Sequence, residues 1–139
     1  MANHGNHRKW RRSIDNIALT WQLAGEYEKA LALWDRLASR RDALGRKARW
    51  FHAFSTYRLG RHEEALQAFV DIEQQDNQRK YAALYYQQKI HEILGQNSSV
   101  IALRNRILEE SPMSWYGQLL QARHHRFLGS TQSTDVLHE

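Results

Sequence analysis

The chain has 139 residues, 42% hydrophobic and 25% charged, with a net charge of +5, values that fit one ordinary globular domain. It contains no cysteine, which excludes disulfides, thiol catalysis and thiolate metal sites, and no run nears the roughly 18 apolar residues of a membrane span. A single proline and seven glycines favour long helices over strands. Residues 1–12 are polar and basic, with Arg8, Lys9, Arg11 and Arg12 clustered. They read as a frayed, solubilising tail without a secretion signal. Apolar periodicity then predicts helices over 13–24, 27–39, 43–59, 62–75, 78–94, 98–110 and 113–128, in one domain over 13–128. Pro112 is expected to open the last helix, where a missing amide hydrogen does no harm. Residues 129–139 read as a flexible tail.

The glycines carry a repeat. Gly25, Gly60, Gly95 and Gly129 recur at intervals of 35, 35 and 34 residues, each after a small or apolar residue: Ala24, Leu59, Leu94 and Leu128. A helix C-terminus takes glycine there because a left-handed backbone costs nothing without a Cβ. The small residues Ala30 and Ala65, and a looser Val100, stand five positions on. Trp34 and Phe69 follow in two copies, with Arg104 in the third, and then Leu37, Ile72 and Ile107. This spacing puts them on one helix face. The period and the helix–glycine–helix layout resemble the tetratricopeptide repeat. That resemblance implies an all-α, right-handed α-solenoid of about three and a half helix hairpins, in which stacked copies make one continuous core.

A narrower resemblance rests on Trp50-Phe51 and Tyr85-Tyr86 early in two first helices, and on Pro112-Met-Ser114-Trp115-Tyr116-Gly117 with Arg123 after it. Residues 43–128 resemble the helical superstructure of the soluble lytic transglycosylases. In that family a run like Pro112–Gly117 closes the solenoid before the catalytic domain. The family's catalytic glutamate–serine and glycine-rich segment are absent. Glu110-Ser111 copies the dipeptide, but it lies at a helix end before a proline, so no catalytic residue is assigned. The resemblance implies a scaffold portion or stand-alone relative, periplasmic if the relationship holds and otherwise cytoplasmic.

No metal or cofactor is expected. Among eight histidines, His62 and His91 lack a second histidine one turn away, and His124 and His125 point ~100° apart on a helix. His4 and His7 lie in the tail. The glycines are isolated, so no phosphate-cradling loop forms. Binding is expected instead on the first helices of the hairpins. Their inward positions are Lys47, Trp50, Phe54, Tyr57, Arg58, Tyr85, Lys89, Glu92, Tyr116, Leu119, Arg123 and Arg126. Aromatic faces stack on sugars or peptide side chains, and guanidinium groups pair with carboxylates. The competing assignment is packing between repeats, which places Phe51 and Tyr86 in the core and weighs more for Trp50 and Tyr85 than for Tyr57, Lys89 and Arg123. The last helix presents Leu119, Leu120, Phe127 and Leu128 with no following repeat, a face expected to self-associate or to receive a further element. The expected partner is a protein or peptide, or peptidoglycan, in preference to nucleic acid, although the net positive charge attracts polyanions.

Overall fold

The structure, a computed structural model, describes residues 14–123. Regular structure among these residues is helical, without strands. α1 covers 14–23 of the described residues. α2 is Tyr27–Leu37, α3 Ala43–Arg58 and α4 His62–Gln75, then a 3-10 turn at Asn77–Arg79 leads into α5, Lys80–Ile93. α6 is Asn97–Glu110, and α7 covers 115–123 of the described residues. The all-α class read from the sequence is therefore what the chain adopts. It divides into two compact units, Met1–Asp76 and Asn77–Glu139, where the sequence showed no linker. The expected tails at 1–12 and 129–139 lie outside the described residues.

Three turns share one construction. Gly25, Gly60 and Gly95 have φ of 78°, 80° and 73°. The glycine amide of each donates to the carbonyl three residues back: Gln22, Tyr57 and Glu92. The next amide donates five residues back, from Glu26 to Trp21, Arg61 to Thr56 and Gln96 to His91. This pair of bonds satisfies helix carbonyls that would otherwise lack partners. A Cβ on any of the three glycines would meet nothing within 4 Å. Backbone conformation, not space, demands glycine here.

In the N-terminal unit the turns bring apolar stripes together. Ile14, Ala18, Ala30, Trp34, Leu37 and Ala48 form a buried cluster, with Phe51 and Leu44 packed against it. Ala30 has no exposed surface, so its helix sits close to its neighbours. Trp34 stacks on Phe51, with centroids 5.1 Å apart and planes 16° from parallel. Its indole Nε1 donates to Gln22 Oε1 at 3.3 Å, and Ser55 Oγ donates to the same oxygen at 2.6 Å. One buried amide thus ties α1, α2 and α3 together, and buried polar groups need such partners. Ala53, Ala65, Phe69 and Ile72 are buried in α3 and α4.

The C-terminal unit is built on Leu84, Tyr85, Ile107 and Leu120, with Tyr81, Tyr86, Leu103 and Tyr116 against them. Pro112 does not open α7 as expected. It lies in a turn, and Ser114 is the cap: its Oγ accepts from Gly117 N at 3.0 Å and donates to Ser111 O at 2.7 Å. A hydroxyl that accepts from the third helical amide is a stronger start signal than proline. α3 starts in the same way, with Asp42 Oδ1 accepting from Gly45 N at 3.0 Å. In both helices the capped glycine is crowded. A Cβ would come 2.0 Å from Arg40 O at Gly45 and 2.3 Å from Ser111 O at Gly117.

Candidate functional site

The expected binding residues fall into both units, and each set is described within its own. On α3, Lys47, Trp50, Phe54, Tyr57 and Arg58 occupy roughly 100° of the helix circumference, at ~100° per residue. The buried positions Ala48, Ser55 and Thr56 lie around the other side. The spacing of α3 places this arc: apolar and small residues turn toward α2 and α4, and bulky aromatics and cations are left at the margin. Trp50, Phe54 and Tyr57 are half-buried and Arg58 is exposed.

Several of these side chains are already engaged. Lys47 Nζ lies 3.1 Å from an Asp15 carboxylate oxygen, so its charge is partly matched. Trp50 meets Phe69 edge-on at 5.4 Å, which ties one ring edge to the core. Phe54 and Tyr57 lie 6.3 Å apart, and Tyr57 is 6.3 Å from the His62 ring. Arg58 Nε donates to Tyr27 Oη at 3.2 Å, and its guanidinium carbon sits 5.5 Å from that ring's centre. The result is an amphipathic strip with one exposed guanidinium at its end. Such a strip offers ring faces for stacking and a fork for a carboxylate.

In the C-terminal unit the expected residues separate. Tyr85 is only 7% exposed and packs 5.1 Å from Tyr116 and 5.6 Å from Tyr86. It serves the core and offers no binding face. Burial, and then the neighbouring Tyr85, push the Tyr116 phenol above its ordinary value, so it stays protonated at neutral pH. Lys89 Nζ sits 5.4 Å from the Tyr85 ring centre, a cation over an aromatic face. Glu92 is exposed and accepts from Gln88 Nε2 at 3.1 Å. Arg123 is exposed at the edge of the described residues; Arg126 lies outside them.

The expected self-association face is divided in the same way. Leu120 is 3% exposed, inside the core of its own unit, and Leu119 is half-buried against that core. Neither presents a free face, because α7 turns these leucines toward α5 and α6. Phe127 and Leu128 lie outside the described residues. Apolar side chains that reach solvent among the described residues of this unit include Ile93, Leu94 and Ile101 and, most exposed, Met113 and Trp115 at 79% and 72%. Met113 and Trp115 belong to the Pro112–Gly117 run, and no periodicity in the sequence singles out their exposure.

Sequence reasoning missed a cleft of about 150 Å³, lined from α2, α3 and α4, that includes Arg46, Arg49 and His52. No local pattern marks it, since its walls come from three helices. Among the described residues, no three or more His, Asp or Glu side chains are grouped to hold a metal ion, and no helix is long and apolar enough to cross a membrane. Comparison with protein-family models, with curated proteins and with solved structures finds no match.

Proposed function

We propose that the chain is a non-catalytic interaction module of about three and a half tetratricopeptide-like hairpins arranged as a right-handed α-solenoid. It binds a partner through the exposed faces of its first helices. The observation that carries this reading is the α3 strip, where Trp50, Phe54 and Tyr57 remain partly open beside the exposed Arg58. Half-open aromatics beside an exposed guanidinium are the composition of binding hot spots, which favour Trp, Tyr and Arg. The recurrent turn at Gly25, Gly60 and Gly95 supports the hairpin part of the proposal, because identical backbone bonds recur at a fixed interval.

The Pro112–Gly117 run and the paired aromatics favour a relative of the helical portion of peptidoglycan lytic transglycosylases. In this reading the ligand is cell-wall material, whose sugar rings and peptide carboxylates suit the strip's rings and guanidinium. The alternative is an adaptor that takes a partner's peptide on the same strip. Co-sedimentation of the full chain with purified sacculi separates the two. The cell-wall reading predicts that the chain pellets and that Arg58→Ala lowers the pelleted fraction several-fold. A chain that stays in the supernatant at low salt overturns it in favour of the adaptor. Binding to single-stranded nucleic acid with a steep salt dependence would displace both, since phosphate contacts release counterions.

A further inference from the structure

The cleft of the N-terminal unit shares no residue with the α3 strip and does not depend on that reading. The ends of α2 and α4 both come beside the first half of α3, and the space between them is small, about 150 Å³. That is below the roughly 300–1,000 Å³ typical of drug-sized ligands and too little for a helix or strand of a partner. Its apolar lining comes from Ala38, Ala68 and Ile72. The alanines leave the room that larger side chains would fill.

The rim carries both signs of charge. From α3, Arg46, Arg49 and His52 line the cleft, with Asp35 of α2, Asp71 of α4 and the buried, already partnered Asp76. Arg49 is fixed in place: its Nη1 donates to the carbonyls of Ala38 at 2.7 Å and Arg40 at 2.8 Å, closing the open end of α2. The Arg46 side chain has no hydrogen bond or ion pair among the described residues. Asp71 accepts from Gln67 Nε2 through one oxygen, at 3.1 Å. Asp35 faces His52 at 3.6 Å, too long for a good hydrogen bond. The C-terminus of α4 adds partial negative charge, while that of α2 is covered by the Arg49 guanidinium.

We propose that this cleft binds a small zwitterion, an α-amino acid with an aliphatic side group. Arg46 takes the carboxylate as a bidentate fork, with help from the remaining donors of Arg49. Asp35 and Asp71, with the carbonyl end of α4, hold the ammonium. The aliphatic group rests on Ala38, Ala68 and Ile72. A simple anion would face the carboxylates and the carbonyl end of α4, and a simple cation would face two guanidinium groups. A neutral apolar ligand would leave both sets unmatched. A molecule carrying both charges and a short apolar group answers Arg46, Asp35, Asp71 and the apolar floor together.

The test is an amide chemical-shift titration of the full chain with L-leucine, with its decarboxylated amine and with its deaminated acid. Leucine is expected to give saturable shifts at Ala38, Ala68 and Ile72, with each one-armed analogue at least tenfold weaker. Arg46→Gln, a change at a side chain with no partner to lose, should erase the advantage of leucine over the amine. Asp71→Asn should erase its advantage over the acid. The proposal is overturned if leucine at ~20 mM, where even a millimolar Kd is saturated, leaves those amides unmoved. It is equally overturned if an analogue binds as well as leucine, or if both variants keep the full preference.

Discussion

The α3–α4 and α5–α6 hairpins are joined by turns with the same bonds and nearly the same glycine φ, 80° and 73°. Nine residues after those glycines the two part company. Phe69 is fully buried in α4, whereas the corresponding position in α6 is the half-buried Arg104. In the first helices Ala53 of α3 corresponds to Gln88 of α5, and both are buried. Turn geometry is a backbone property and tolerates any side-chain neighbourhood. Core composition is negotiated separately in each hairpin.

The largest expected effect breaks this comparison directly. Phe69→Ala removes a whole aromatic from a filled site and should destabilise the chain by about 3–5 kcal/mol. Arg104→Ala, at the matching position, should change stability by no more than about 0.5 kcal/mol. Urea denaturation followed by circular dichroism reads both. Similar losses in the two variants would mean that the hairpins rest on equivalent contacts after all.

The two side-chain caps sharpen the comparison next. Asp42 and Ser114 each accept from the glycine amide three residues on, so Asp42→Ala and Ser114→Ala should each cost ~1 kcal/mol at neutral pH. They differ on acidification. The Arg40 guanidinium, and after it the Gly45 amide, hold the Asp42 carboxyl down at about 2. In the unfolded chain it titrates near ~3.9. Because the folded value is the lower one, the contribution of Asp42 is full above that unfolded value and is lost as pH falls toward about 2. The penalty of Asp42→Ala should therefore shrink in that window, and that of Ser114→Ala should not. Parallel melts across the acid range check the difference.

The smallest effect concerns Gln88, 2% exposed. Its Nε2 reaches Glu92, while its Oε1 finds no donor. Gln88→Met keeps the volume, removes the stranded acceptor and gives up one bond. Stability should rise or stay level, within ~1 kcal/mol. A clear loss in chemical denaturation would show that the amide has a partner role the packing does not reveal.

These contrasts also mark what the sequence could disclose. The all-helical class and the helix order were legible because glycine spacing and apolar periodicity are local signals. Pro112 misled, since proline and a serine cap two residues later both announce a helix, and the hydroxyl's bond to Gly117 decides the register. The strip on α3 was legible as a face, yet Trp50 and Tyr85 occupy matching positions and end half-buried and buried. Tyr85 is enclosed with Tyr86 and Tyr116 around it, whereas Trp50 packs at a steep angle to Phe69 and keeps part of its ring exposed. Arg46 and Asp71 reach the same cleft only once three helices are packed, so nothing in their sequence neighbourhood pairs them.

The account stands on one turn, built three times. Its most direct test is the stability of Gly25→Ala, Gly60→Ala and Gly95→Ala measured side by side. With open space around each Cβ, the cost is backbone conformation alone, about 1–2 kcal/mol, and the three values should agree within ~0.5 kcal/mol. A neutral substitution at any one of them, or losses scattered well beyond that range, would contradict the claim that the three turns are energetically one construction.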